Sequence, residues 1–283
     1  MRRDEILTFP RVMGIVNIND DSFSGDGTLD VDVALEQAVR MAQEGADIID
    51  VGAESARTNR EAIAVEREVN RLIPFIGRFA EACALIAPRD ELQIWPPLLS
   101  INTWRPPVVE AVLQTGRCDI INDIGGLVED TNAKLCFEYN SCLLIMHTVG
   151  EPKVPHTEQR YEDLWREMES FFDDRLKRVQ KIGLSDDQII IDPGIDFAKQ
   201  CEDNLAIYRE AERLTQFDLP ILLPISRKTV IGDVLGIESP AERDAGTIAC
   251  LVRGLVAQVN IFRVHNVKAV ADSVRVIAAI RGQ

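Results

Sequence analysis

Eight times along this chain a short apolar run ends on or beside a polar side chain and gives way to a longer stretch with helical spacing. The runs are Val12–Ile18, Asp47–Val51, Leu98–Asn102, Asp119–Asn122, Cys142–Met146, Ile189–Asp192, Ile221–Ile225 and Val259–Val264. The helical stretches are Val31–Gly45, Glu61–Ala84, Pro106–Thr115, Thr131–Tyr139, Tyr161–Ile182, Asn204–Thr215, Ala241–Ala257 and Val267–Ile280. Regular alternation of this kind argues for a parallel sheet covered by helices. Eight such units in 283 residues fit one (β/α)8 TIM barrel, with 1–283 forming a single domain.

A barrel of this type builds its site from the C-terminal ends of its strands and the loops that follow them. The polar groups found there are Asn17, Asp50 with Glu54, Asn102, Asn122 with Asp123, His147, Asp192, Ser226 with Arg227 and Lys228, and Arg263 with His265. One Asp or Asn after a strand is ordinary turn chemistry. Polar residues at all eight ends require a further reason. Their types divide in two. Asp192, Asn122 and Asn102 suit a flat heterocycle, since a carboxylate accepts two parallel N–H bonds from an amidine-like edge. Arg263, His265 and Asn17 suit an anion and a metal bound with it, and Lys228 and Ser226 lie between the two groups in strand order. A planar amino-heterocycle carrying a phosphorylated group satisfies the set.

Net charge is −15, which weighs against general nucleic-acid binding but leaves room for a small anion held by a few local cations. No apolar run is long enough to span a bilayer, so no membrane partner is expected. The opening MRRDEILTF lacks the apolar core of a secretory signal, and the six Cys show no CxxC or zinc spacing. Reduced thiols in a cytoplasmic protein are the expectation.

The residues then match a known family. Seven segments resemble the dihydropteroate synthases: MGIVNINDDSFS (13–24), DVGAESAR (50–57), IINDIGG (120–126), IMH (145–147), IIIDPGIDFAK (189–199), ISRKTVIG (225–232) and RVHNV (263–267). The resemblance runs from Met13 to the last helix and implies condensation of 6-hydroxymethyl-dihydropterin diphosphate with p-aminobenzoate. By the same resemblance Asn17 would ligate Mg2+ on the diphosphate. Asn122 and Asp192, with Asn102 at the end of the third strand, would hold the pterin edge, with Lys228 over the ring. Arg263, His265 and Arg57 would bind diphosphate, and Phe23, Phe197 and Ser226 would form part of the p-aminobenzoate pocket. Of these, Lys228, Asp192, Arg263 and His265 would carry the catalysis. Family barrels commonly pair through their C-terminal helices, which implies a homodimer.

The sequence departs from the family in five places. Asn102 stands where the family has Asp. Removing one unit charge ~4 Å from a cationic pterin forfeits up to about 4 kcal/mol at an effective dielectric near 20, approaching three decades in rate unless Asp196, Asp20 or Asp21 replaces it. Asn19-Asp20 replaces Thr-Pro, and Ala56-Arg57-Thr58-Asn59 replaces Thr-Arg-Pro-Gly. Asp196 and Ala198 replace glycines, and Asn266 replaces the Asp of the final motif. These changes fall more on the arylamine side than on the diphosphate side and predict weakened sulfonamide binding. A pterin-binding paralogue with a different acceptor, the pterin domain of a folate-dependent methyltransferase, and a non-catalytic pterin-binding protein are the competing readings. The methyltransferase reading shares the Asn at 102 but has no use for the SRK and RVH segments. A metal-dependent hydrolase is disfavoured by three His with no HxH pair.

Overall fold

The computed structural model describes residues 6–20, 27–55, 61–150, 152–154, 156 and 158–282. Its eight strands are β1 (Arg11–Asn17), β2 (Ile48–Gly52), β3 (Leu98–Asn102), β4 (Ile120–Asp123), β5 (Cys142–Met146), β6 (Ile189–Asp192), β7 (Leu222–Pro224) and β8 (Ile261–Val264). They pair in parallel in the order β6-β5-β4-β3-β2-β1-β8-β7. A parallel bridge between Ile191 and Ile221, with Ile191 N–H donating to Pro220 O at 3.0 Å, joins the two ends of that order. The expected (β/α)8 barrel is therefore present, and its strands match the sequence reading to within two residues at each end.

Side-chain direction follows from the two-residue period of a strand. Met13, Ile48, Ile120, Leu144, Ile190, Leu222 and Ile261 point inward and form the barrel's buried interior together with Ile6. The residues between them, such as Val12, Ile49, Ile121 and Leu143, point outward into a second and larger apolar layer beneath the helices. Two or four residues beyond each interior position the next inward side chain is polar on seven of the strands: Asn17, Asp50, Asn102, Asn122, Asp192, Ser226, and Arg263 with His265. The apolar plug and the polar mouth are one alternation read at two heights.

The outer ring comprises α1 (Val31–Glu44), α2 (Val65–Cys83), α3 (Pro106–Leu113), α4 (Thr131–Glu138), α5 (Leu164–Ile182), α6 (Cys201–Arg209), α7 (Thr229–Leu235), α8 (Asp244–Val256) and α9 (Val267–Arg281). Asp30 caps α1 and Asp163 caps α5 through side-chain oxygens, and Gly45 and Gly183 end the same helices in the left-handed conformation. The stretch read as Asn204–Thr215 is α6 followed by a 3-10 segment, Ala211–Phe217. The seven residues of α7 were not expected as a helix at all; Gly236 ends it after two turns. The stretch 87–97 lies at the opposite end from the polar mouth, where Leu92 O accepts from Arg11 at 2.6 Å and Ile94 N–H donates to Asp47 at 2.9 Å.

Candidate active site

The polar mouth opens into a cavity of about 410 Å³, within the range of small-molecule sites. Asn17, Asn102, Asn122, Asp192, Phe197, Ser226, Lys228, Arg263 and His265 all line it. Phe23 and Arg57 lie outside the described residues.

The floor is organised by Asp50, a fully buried acid on β2. Its carboxylate accepts from Ser100 Oγ at 2.6 Å, from Asn122 Nδ2 at 3.1 and 3.2 Å, and from Arg263 Nε at 2.7 Å. A carboxylate only accepts, so the Asn122 amide must turn its NH2 toward Asp50 and its oxygen away. That oxygen is buried and has no hydrogen-bond partner among the described residues. Unpaired buried acceptors are costly, so this one is set for a donor from a ligand. Beside it, the β6 strand delivers Asp192. One Asp192 oxygen accepts from Gly194 N–H at 2.6 Å, and burial raises its pKa to about 6 despite the nearby Lys228, Lys199 and Arg263. The carboxylate and the orphan amide oxygen both line the cavity and offer it two acceptors for ligand N–H groups.

Across the mouth sits the anion side. Ser226 Oγ accepts from His265 N–H at 3.1 Å and lies 2.8 Å from His265 Nδ1. With the hydroxyl donating its own proton to Nδ1, the ring proton sits on Nε2 as a donor. Arg263 gives Nε–H to Asp50, and its terminal nitrogens make no hydrogen bond among the described residues. Lys228 donates to Ile195 O at 2.8 Å, lies 5.4 Å from the Phe197 ring centre, and has its pKa lowered chiefly by burial.

Several strand-end residues do something else. His147 follows the inward Met146 and so faces outward, packing edge-on against Phe171. Lys199 reaches it from the β6 loop: its Nζ lies 2.8 Å from His147 Nδ1 and donates to Phe197 O at 3.1 Å. Burial drives Lys199 down to about 7 and His147 well below its ordinary value. Asp123 also faces outward, accepting from Gly125 N–H and Asn132 Nδ2 at 2.9 Å. Arg227 is held by Asp244 at 2.8 Å, with Asn266 donating to the same acid at 2.9 Å, so it braces the start of α8 instead of lining the cavity.

Lys153 also lines the cavity, unexpected from the sequence, and meets Glu54, one of the expected strand-end acids. Glu54 is buried in an ion pair with Arg105 at 2.6 Å, and Lys153 from the loop after β5 reaches it at 3.4 Å while donating to Ser55 O at 3.0 Å. That contact ties the β5 loop to the β2 loop across the cavity mouth. Lys153 belongs to a stretch with no periodicity, so nothing local announced it.

The comparisons with known proteins agree with this geometry. Residues 13–265 match the sequence profile of the pterin binding enzymes. This chain belongs to the pterin binding enzyme family. The dihydropteroate synthase of Escherichia coli strain K12 is 33% identical over 274 residues, covering 96% of this chain and 92% of the relative. A dihydropteroate synthase from Yersinia pestis, solved with a sulfonamide drug, superposes with a TM-score of 0.88 at 29% identity, covering 98% of this chain and 96% of that one. A third, from Xanthomonas albilineans with 4-aminobenzoic acid, gives a TM-score of 0.84 at 32% identity over 98% of this chain and 95% of the other.

Proposed function

We infer that the chain is a dihydropteroate synthase, a transferase that joins a dihydropterin diphosphate to p-aminobenzoate in folate synthesis, and that 1–283 acts as one pterin-binding domain. The observation that carries the reading is the pair of acceptors that Asp192 and the orphaned Asn122 oxygen offer the cavity, set across the mouth from Arg263 and His265. One end of the cavity is complementary to a pterin and the other to diphosphate.

The mechanism follows from these positions. Asp192 and Asn122 fix the pterin by its N–H edge, and Asn102 closes the β3 side of the ring. Arg263 and the Nε2–H of His265 meet the diphosphate oxygens, where charge develops as the C–O bond breaks. Asp50 keeps the guanidinium aimed while Ser226 keeps the imidazole in the donating tautomer. The bond breaks first, leaving a pterin methylene cation over which Lys228 and Phe197 form the wall. The arylamine nitrogen then attacks that carbon and loses a proton to solvent or to departing diphosphate. Excluding water at this stage prevents capture of the cation as the alcohol.

Among the described residues no three His, Cys, Asp or Glu side chains gather into a metal cage. A lone amide such as Asn17, which lines the cavity, fits Mg2+ that retains waters and is held mainly by substrate phosphates. Bound there, Mg2+ would neutralise charge on the leaving diphosphate. A cytoplasmic location and a homodimer belong to the same proposal. Six unpaired thiols support the first. The exposed Val252 and Val256 on α8, beside Val276 and Ile280 on α9, support the second. No helix among the described residues is long and apolar enough to cross a membrane.

Sulfonamides would compete with the arylamine and bind more weakly than to the Escherichia coli relative, because the departures fall on the acceptor side. Equal inhibition constants measured side by side would contradict that. The function itself is tested by asking whether diphosphate release requires p-aminobenzoate.

A further inference from the structure

Asp196 joins two neighbouring loops at the mouth. It sits in the loop after β6 at φ +69°, a left-handed angle that Asp and Asn tolerate better than most side chains. Asn204 on α6 holds it at both ends: Asn204 Oδ1 accepts from Asp196 N–H at 2.9 Å, and Asn204 Nδ2 donates to Asp196 Oδ1 at 3.3 Å. The carboxylate then reaches the loop after β7. Oδ2 accepts from Thr229 N–H at 2.6 Å, and Oδ1 accepts from Val230 N–H at 3.4 Å. Those are the first two amides of α7, whose own N-cap residue, Lys228, gives no side-chain cap. Amides at a helix start have no partner within the helix and need an acceptor. Here the acceptor comes from outside the helix.

Lys228 lies immediately before those amides and returns the contact. Its ammonium donates at 2.8 Å to the carbonyl of Ile195, the residue before Asp196. Two adjacent bonds of opposite direction therefore stitch the β6 loop to the β7 loop. Burial works against the Lys228 charge. Asp196 and, more weakly, Asp192 favour the ammonium, Arg263 on β8 opposes it, and Lys199 on the β6 loop is a further like charge. Lys228 belongs to the wall beside the pterin methylene. An ammonium that wandered there would oppose the developing cation, and a neutral amine would hold Ile195 O less strongly.

Resting on the dihydropteroate synthase reading, we propose that Asp196 is a positioning residue: it caps α7 from the neighbouring loop and supplies a fixed counter-charge to Lys228, so that the ammonium stays on Ile195 O at the cavity wall.

The test uses Asp196→Asn and Asp196→Gly. Asn tolerates the backbone angle and can still cap α7, but carries no charge. Gly keeps the angle and removes cap and charge together, so misfolding of one variant leaves the other informative. The first readout is ligand-free protein carrying 13C-labelled lysine, with the Lys228 signal assigned from Lys228→Arg. The titration midpoint of Lys228 is expected to fall by about half a unit to one unit in both variants, the scale for losing one nearby opposite charge. Amide hydrogen exchange at Thr229 and Val230 is expected to quicken about five- to tenfold in Asp196→Gly, as for loss of a helix cap, and to stay near wild type in Asp196→Asn. A cap with no electrostatic part leaves the midpoint of Asp196→Asn unmoved, and that result overturns the counter-charge. Unchanged exchange in Asp196→Gly overturns the clamp. In turnover the alkaline limb of kcat should move to lower pH in step with the midpoint, and a limb that stays in place while the midpoint moves removes Asp196 from the reaction. Absence of turnover in every form overturns the synthase reading, while midpoint and exchange still decide the role of Asp196.

Discussion

Asp192 is held in a state that favours the ligand over the fold. Its pKa is raised to about 6 from an ordinary 3.8, so the folded protein holds that proton more tightly than the unfolded chain does. Between about pH 4 and pH 6 the unfolded state binds fewer protons, and Asp192's contribution to stability falls as pH rises. Pterin binding needs the ionised form and should strengthen as pH rises through about 6. Asp192→Asn is therefore expected to be at least as stable as wild type above pH 6 while losing about 10- to 100-fold in pterin affinity, the magnitude for a hydrogen bond to a charged group. Thermal melts and pterin titrations from pH 5 to 8 check both halves, and tighter pterin binding at pH 5 than at pH 7.5 would refute the assignment. Asn102 is the second residue to probe. Asp50 lies one inward step below it but is already paired with Arg263, Ser100 and Asn122, and Asp196 is turned toward Thr229. The described residues place no unpaired acid beside Asn102, so Asn102→Asp is expected to raise kcat at least about fivefold, from 1 kcal/mol or more of added attraction for the pterin cation. Single-turnover rates decide it, and an unchanged rate would show that the cation is balanced from elsewhere. At this scale the sequence was informative where strand parity decides orientation. All nine candidate site residues that lie among the described residues line the cavity. His147, Asp123 and Arg227, the other polar strand-end groups, do not line it, because adjacency in sequence reverses direction in a strand and because Arg227 at φ +56° turns to Asp244.

The loop after β6 is the element on which the site most depends. Gly194 sits at φ +69°, and a Cβ there would lie 2.0 Å from His147 O, a backbone atom that cannot step aside. Lys199 closes the same loop from below through Phe197 O and His147. Gly194→Ala is expected to lose about 3 kcal/mol or more of stability from backbone strain and overpacking together, read as a lowered denaturation midpoint. A wild-type midpoint would mean the loop can shift freely. Lys199→Met should lose less stability than loss of a charged contact suggests, because the buried amine is already half neutral near pH 7. Wild type releases a proton on folding between about pH 7 and the ordinary 10.5, so its stability should gain on that of the variant as pH rises through this window. Element types were legible from periodicity wherever a run was long, as in α1, α2 and α5. The seven-residue α7 was not, because two turns carry too little apolar repeat to stand out from a loop. Pro224, which has no N–H for the ladder, ends β7 a residue earlier than its apolar run suggested.

The whole molecule is an acidic barrel with a few of its cations at one mouth. Lys228, Arg263 and Lys153 line the cavity beside His265 although the net charge is −15. Anionic substrate therefore meets local attraction against a repulsive far field, so the pterin diphosphate on-rate should fall only weakly with added salt. The barrel itself was readable because eight repeats of one unit leave few other closures. The loop-to-loop tie of Lys153 to Glu54 was not, since it joins segments 99 residues apart with no shared pattern. On the outside, the apolar stripe of α8 and α9 should hold two copies together. Val256→Glu combined with Ile280→Glu is expected to convert a dimer to a monomer in sedimentation without altering pterin affinity, and a wild type that sediments as a monomer would remove that part of the proposal. The most direct measurement is diphosphate release from 6-hydroxymethyl-dihydropterin diphosphate with Mg2+, with and without p-aminobenzoate, followed by detection of dihydropteroate. Release that rises with p-aminobenzoate and is matched mole for mole by dihydropteroate is the expected result. Tight pterin binding with diphosphate release indifferent to p-aminobenzoate, and no dihydropteroate, would contradict it.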